Sequence, residues 1–327
     1  MRNVRANILL LLAAAVAGDG LAVGDAVAQA YPNKPIRIIT GFVAGGSTDV
    51  IARLVGQKLS ESLGQQVIVE NRPGASTAIA AERVATSPPD GYTMLLAAAS
   101  TTIQSALRKN LPYDLERGFV HVSLVAIGPF VLVVHPSLPV RSVKDLIALA
   151  RSQPGKLNYG SPGTGSVNHL TGELFKLGAK VDIVHVPYKG SAESSVANAA
   201  GEIALSFPSI PAALPLLEAR RLRALAVTSM KRVSVLPSVP TLDETALPGF
   251  NYAGALGLCV PAAVPKEIVT RLNAAIVKVV NTAEMGEAIG KQGFEAQAST
   301  PDQYTALIHV DLVKLTKLIE ITGMKAD

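Results

Sequence analysis

A single cysteine, Cys259, excludes any disulfide within the chain, so stability has to come from packing alone. It lies in the apolar run 255–260, where it reads as a small buried hydrophobe. Tryptophan is absent and aromatics make up only 4% of the 327 residues. Lysine and arginine exceed aspartate and glutamate by 30 to 25, but the excess is scattered. Its densest spots, Arg220-Arg221 and Lys231-Arg232, read as solvated ends of elements. Nucleic-acid binding wants a basic stripe, commonly interleaved with aromatics, and neither is present. A mild positive field of +5 suits a small anion instead.

Catalytic signatures are missing as well. There is no Gly-x-Gly-x-x-Gly and no phosphate loop ending in Gly-Lys-Ser/Thr, so nucleotide binding lacks its fingerprint. No Gly-x-Ser-x-Gly elbow supports a hydrolase. The five histidines, His121, His135, His169, His185 and His309, have no metal-ligand spacing and no cysteine partners, so neither a metal nor a cofactor is expected. Ser161, His169 and Asp49 can be drawn as a triad, but nothing in their spacing supports it; His169 reads better as an orienting or core histidine near a helix start. Asp114-Leu115-Glu116 and Asp243-Glu244 read as surface. What is left is many hydrogen-bond donors and no credible nucleophile, the profile of a binder.

Long apolar runs are also lacking. The longest near the N-terminus, residues 8–17, falls well short of the roughly 20 residues that span a bilayer. With Arg2 and Arg5 before it and Ala28-Gln29-Ala30 after it, it reads as a signal peptide over 1–30, cleaved before Tyr31. The mature protein is then expected to be exported, and to contain one large or two medium domains.

Beyond Tyr31, short apolar runs alternate with amphipathic segments. Strands are expected over 36–42, 66–70, 93–99, 157–160, 182–186, 202–207, 224–228 and 255–260, with a long β-rich run over 124–134 broken at Gly128-Pro129. Helices are expected over 50–63, 76–86, 143–150, 168–177, 191–200, 212–219, 266–281 and 302–321. This alternation predicts βαβ units and mostly parallel sheets.

Two strand–loop–helix turns stand out. Gly45-Gly46-Ser47-Thr48-Asp49 follows the first strand, and Ser161-Pro162-Gly163-Thr164-Gly165-Ser166 follows a later one. Ser47, Thr48 or Asp49 can cap the helix that begins there, and bare glycines let a ligand reach the backbone. Each turn is either a structural turn that needed glycine or an anion seat at a helix N-terminus. Two of them, over a hundred residues apart, favour a cleft between two lobes that closes over an anion.

The residues then become recognisable. Tyr31-Pro32-Asn33-Lys34-Pro35-Ile36-Arg37, Gly45-Gly46-Ser47-Thr48-Asp49, Val69-Glu70-Asn71-Arg72-Pro73-Gly74, Pro89-Asp90-Gly91-Tyr92-Thr93 and Leu111-Pro112-Tyr113-Asp114 occur in order. Pro154-Gly155-Lys156-Leu157-Asn158-Tyr159, His169-Leu170-Thr171-Gly172-Glu173-Leu174-Phe175, Val184-His185-Val186-Pro187-Tyr188-Lys189-Gly190 and Leu222-Arg223-Ala224-Leu225-Ala226-Val227-Thr228 follow. The whole mature chain resembles the Bug-type extracytoplasmic solute receptors, the periplasmic binding proteins of tripartite tricarboxylate transporters.

That resemblance implies an α/β, two-lobed periplasmic-binding-protein fold of type II-like form, with a central cleft and two crossing hinge strands. Lobe 1 would be 31–131 plus 256–327 and lobe 2 132–255, with crossings near 130–134 and 253–258. It implies a monomeric, non-enzymatic periplasmic receptor for a small carboxylate, serving membrane transporter subunits or a sensor kinase; an exported α/β enzyme acting on a small carboxylate is the alternative. The carboxylate would be held by backbone N–H groups, hydroxyls and waters. Carried over by position, the ligand-binding residues are Phe42, Gly45, Gly46, Ser47, Thr48 and Asp49, then Ser100, then Ser161, Gly163, Thr164 and His169. Phe207 and Ser209 complete the set. Where many relatives read Phe-Asp-Asn, this chain reads Phe207-Pro208-Ser209, which removes an acidic partner for a ligand amine and favours a carboxylate without one. Ala255-Leu256 replaces an aromatic common in the last crossing strand, and Gly41 stands where proline is frequent, which suggests a more mobile first loop.

Overall fold

Isoleucines at positions 36, 38 and 39 are withdrawn from solvent and open the first of two mixed sheets. The computed structural model describes residues 31–188 and 191–324; the expected signal segment 1–30 and its cleavage site lie outside them. The chain divides into units Met1–Asn33 and Lys34–Asp327, and everything below concerns the second.

The first sheet contains β1 (Ile36–Thr40), β2 (Val67–Asn71), β3 (Thr93–Ala98), β4 (Phe119–Pro129), β10 (Ala253–Pro261) and β11 (Glu295–Ala296), in the order β11-β4-β10-β3-β1-β2. β1 runs parallel to β2 and β3, whereas β10 runs antiparallel to β3 and β4. The second sheet contains β5 (Val131–Val134), β6 (Asn158–Ser161), β7 (Val184–Pro187), β8 (Leu205–Ser206) and β9 (Arg223–Val227), in the order β7-β6-β8-β5-β9. β6 is parallel to β7 and β8, and β5 is antiparallel to β8 and β9.

Helices cover both sheets. α1 (Ser47–Leu63) buries Ile51, Ala52, Val55 and Leu59 at the three- and four-residue steps of one face. Gly56 lets that face close on Val67, Val69 and Ile38, and the helix stops at Gly64 in the left-handed conformation. α2 (Ala78–Ala85), α3 (Ala99–Leu107), α4 (Val143–Ser152), α5 (Val167–Ala179), α6 (Ser191–Ala200), α7 (Ile210–Glu218), α8 (Leu242–Thr245), α9 (Lys266–Val280), α10 (Ala283–Lys291) and α11 (Pro301–Thr322) follow. Separate cores form under each sheet. One gathers Leu95, Phe119, Leu124, Cys259 and Tyr304; the other gathers Leu132, Leu146, Tyr159, Phe175, Phe207 and Leu225. Burial pushes the Cys259 thiol up to about 12, as befits a packing residue.

Three local expectations change. α3 begins directly at the end of β3, so the hydroxyl run Ser100-Thr101-Thr102 is helical, with Ile103 and Gln104 fully buried beneath it. Helix 76–86 begins only at Ala78, because residues 74–77 form a turn with positive φ throughout. α10 was hidden by its small size; Thr282 caps it by accepting from the Met285 N–H.

The chain passes from the first sheet to the second at Phe130, the single residue between β4 and β5. It returns between Val227 and Ala253, so β10 pairs with β4 from its first residue and Ala253, Gly254 and Ala255 belong to the first sheet. Thr228 ties the two crossings together. Its hydroxyl accepts from the Phe130 N–H at 2.9 Å and donates to the Tyr252 carbonyl at 2.7 Å. Its own N–H donates to the Phe130 carbonyl, and its carbonyl accepts from the Tyr252 N–H, both at 2.9 Å.

Candidate functional site

The first loop, residues 41–46, leaves the carboxyl end of β1 and runs straight into α1. Its helix is not capped by Ser47, Thr48 or Asp49. The N-cap is Gly46, extended at φ −75° and ψ 163°, and no side chain serves the first N–H groups. Ser142, Ser166, Thr241, Thr282 and Thr300 all do serve as side-chain caps on later helices. The start of α1 thus presents bare N–H groups and the positive end of a helix dipole.

Asp49 shapes the loop instead. One carboxylate oxygen accepts from the Gly45 N–H at 2.9 Å and from Arg53 Nε at 3.0 Å; the other accepts from Asn71 Nδ2 at 2.8 Å. Asn71 also donates to the Phe42 carbonyl at 3.0 Å. Burial pushes the Asp49 carboxyl up, but the bonds from Arg53, Gly45 and Asn71 together outweigh it and hold the group below its usual range. It therefore stays ionised and locally neutralised. Gly45, at φ +84°, holds a conformation that a side chain would strain. Val43 projects from the loop tip, 66% exposed.

The second loop, residues 162–166, leaves β6 and enters α5. Ser161 is fully buried; its Oγ accepts from the Gly163 N–H at 3.1 Å and lies 2.6 Å from His185 Nε2. The Gly165 N–H donates to His169 Nδ1 at 3.2 Å, and Ser166 caps α5 by accepting from the His169 N–H. His169 stacks on His185, and behind them Tyr159 donates to Glu173 at 2.6 Å. Burial, with the Glu173 charge beside it, pushes the Tyr159 phenol far up, so it remains a donor. Ser161 meets His185 rather than His169, and Asp49 is engaged within the first loop; the triad drawn from the sequence is not assembled.

Two contacts join elements of one sheet to elements of the other. Ser47 Oγ donates to Ser209 Oγ at 3.4 Å, and Gln104 Nε2 of α3 donates to the Gly165 carbonyl at 3.1 Å. Ser209 also bridges to Phe130 at the crossing, and as N-cap of α7 it gives its hydroxyl no role in capping. Within the first loop, Asn71 and Asp49 gather Phe42 and Gly45, with Gly46, Ser47 and Thr48 at the start of α1. Within the second, Ser161, Gly163 and His169 are bonded together, with Thr164 between them in sequence. Ser47 meets Ser209, and Ser100 is buried in the first turn of α3. Phe207 differs: its ring is fully buried against Phe175, and only its carbonyl, accepting from Asn168 Nδ2, lies toward the loop. Asn71, Gln104, Asn168 and His185 were not foreseen as parts of these contacts. The signal for Gln104 was its position four residues past Ser100, which counts only once a helix is recognised there.

Among the described residues, no group of three or more His, Cys, Asp or Glu side chains could hold a metal, and no helix is long and apolar enough to cross a membrane.

A sequence profile of the tripartite tricarboxylate transporter family receptor matches residues 51–324. BugT of Bordetella pertussis is 34% identical over 321 residues, covering 98% of each chain. A solved periplasmic transporter is 38% identical, with a TM-score of 0.85 over 91% of this chain and 100% of that one. R. palustris Rpa4515, solved with adipate, is 36% identical with a TM-score of 0.85, covering 90% and 99%. MatC of Rhodopseudomonas palustris, with bound malate, is 28% identical with a TM-score of 0.80, covering 88% and 100%. The α/β, two-lobed periplasmic-binding architecture is common to all of them and to this chain.

Proposed function

Because the chain belongs to the tripartite tricarboxylate transporter receptor family, whose members are solute-binding and non-enzymatic, we propose that it captures a small organic acid between its two lobes in the periplasm. The captured acid is then handed to membrane subunits of a transporter, or reported to a sensor. The reading rests above all on the uncapped start of α1, whose Ser47 hydroxyl meets Ser209 at the start of α7, next to the second sheet. A desolvated carboxylate needs several donors to offset lost hydration. The N–H groups of Gly46, Ser47 and Thr48 would supply them from one side, with Ser209 and Thr164 opposite. Asp49 and His169 act by holding the two loops, and Ser100 lies beneath the cleft. The lobes are proposed as 31–131 plus 256–327 and 132–255, after removal of a signal segment over 1–30; at their borders Val131 pairs into the second sheet and residues 253–255 into the first.

The ligand class is a carboxylate without a free amine. Phe207-Pro208-Ser209 offers no acid, and the one carboxylate bonded into the first loop, Asp49, is already paired with Arg53. Relatives solved with adipate and with malate are in keeping with an extended dicarboxylate. Mass spectrometry of small molecules released on denaturing the purified protein tests this directly, followed by thermal shift with adipate, malate, citrate and aspartate. Stabilisation by an organic acid and not by aspartate is expected. If nothing co-purifies and none of these acids shifts melting, the proposal fails.

A further inference from the structure

Residues 74–77, between β2 and α2, hold the most strained backbone among the described residues. Gly74 has φ 132°, and Ala75, Ser76 and Thr77 follow at 45°, 49° and 85°. Three successive non-glycine residues with positive φ are rare, and a β-branched threonine there is an outlier. Such strain persists only where the surroundings enforce it, and it gathers at ligand clamps and switches. Glycine at position 77 would relieve it, so the threonine side chain has to contribute something that the relaxed backbone would not.

Its contacts show what. A Cβ at Gly41 would lie 2.6 Å from Thr77 Cβ and 2.8 Å from its Cγ2, so Thr77 is pressed against the base of the first loop. Position 41 is glycine because of this close approach, which seats the loop rather than loosening it. On its other side the buried Thr77 hydroxyl meets Thr101 Oγ1 at 3.0 Å, and Thr101 also accepts from the Ala98 N–H, in the first turn of α3. One turn further along α3, the fully buried Gln104 reaches the Gly165 carbonyl of the second loop. Thr77 is therefore the joint between the first loop and the helix that touches the second.

We propose that Thr77 is a positioning residue for ligand binding. Held in a strained conformation, it fixes the first loop against α3 and so sets the register in which the two loops close; this rests on the reading of those loops as a carboxylate clamp. The strain is the cost of that placement, so relieving it should improve the fold and harm the function.

The test compares wild type with Thr77→Gly and Thr77→Ser in the full mature chain, by thermal melting and by titration with adipate and malate. Thr77→Gly is expected to melt at or above the wild-type temperature yet bind about tenfold more weakly, chiefly through faster dissociation. Thr77→Ser, which keeps the hydroxyl toward Thr101, should bind within about threefold of wild type. The proposal is overturned by wild-type affinity in Thr77→Gly, by a lower melting temperature there, or by equal weakness in both variants. If wild type itself binds neither acid, the carboxylate clamp falls with it; if wild type binds and Thr77→Gly binds equally, only the role of Thr77 falls.

Discussion

His169 and His185 stack face to face, with ring centroids 3.8 Å apart and planes within 11° of parallel. Each ring also serves the second loop: His169 Nδ1 accepts from the Gly165 N–H, and His185 Nε2 meets Ser161 Oγ. Because a backbone N–H is donor only, Nδ1 of His169 carries no proton in this arrangement. The pair braces both ends of the loop.

Replacing His169 should therefore act through loop geometry. His169→Leu removes the acceptor for Gly165 and should weaken binding of the cognate acid about tenfold, the worth of one buried hydrogen bond left unmade. His169→Asn can present an oxygen near the position of Nδ1 and should recover most of that loss. Titration calorimetry on the three proteins decides it; equal loss in both variants would mean that His169 contributes something other than an acceptor.

Gln104 makes the clearest test of closure. It is fully buried, donates from α3 to the Gly165 carbonyl and accepts from Arg108 Nε at 2.8 Å. Gln104→Leu keeps much of the volume but breaks the contact between α3 and the second loop. Ligand dissociation should accelerate about three- to tenfold with little change in association, since such a bond stabilises the closed state more than the encounter. Stopped-flow kinetics would show it, and an unchanged dissociation rate would remove Gln104 from the closure mechanism.

The helical face of α1 was legible from spacing, because Ile51, Val55 and Leu59 announce it without help from distant residues. Both clamp loops were legible too, through glycines and hydroxyls following apolar runs. What stayed hidden depends on contacts remote in sequence. Asp49 looked like a cap, yet Asn71 from the neighbouring strand and Arg53 turn it into the loop's anchor. No helix is expected after the strand 93–99, whereas the Thr101 hydroxyl accepts from the Ala98 N–H and the buried Ile103 and Gln104 go with a helical segment. The packing of the Phe207 ring against Phe175 likewise depends on a partner remote in sequence.

Acid stability should be governed in part by His121. It is 1% exposed, lies edge-on to Tyr304 with centroids 5.2 Å apart, and has Thr305 Oγ1 3.4 Å from Nδ1. Burial pushes its imidazole down to about 4 from 6.5, against weaker opposing effects of the Leu115 backbone and Glu116. The unfolded chain binds this proton near 6.5 and the folded chain does not, so stability is level above that pH and falls between about 6.5 and 4. The loss amounts to roughly 3 kcal/mol across the window. His121→Phe, which keeps a ring against Tyr304, should flatten this part of a urea-denaturation profile against pH. A slope identical to wild type would assign the acid sensitivity to other groups.

Thr228 joins the two crossing segments through its hydroxyl and its backbone, and the Phe130 and Tyr252 rings stack beside it at 6.1 Å. A valine there keeps the shape but offers the Phe130 N–H no acceptor and the Tyr252 carbonyl no donor. Leaving such groups unpaired costs on the order of 1–3 kcal/mol, so Thr228→Val should unfold at lower urea. The two backbone bonds between residues 228 and 130 and between 252 and 228 remain, and the crossings should stay adjacent but turn more freely. That predicts a second, separable effect: a broader range of lobe orientations without ligand, seen as a larger radius of gyration by small-angle scattering. Ligand binding would then have to offset more lost freedom, and affinity should fall even though residue 228 touches no part of the clamp. Thr228→Ser, which retains the hydroxyl, should restore both properties. If serine restores stability while affinity stays low, the missing methyl group and not the hydrogen bonds controls the hinge.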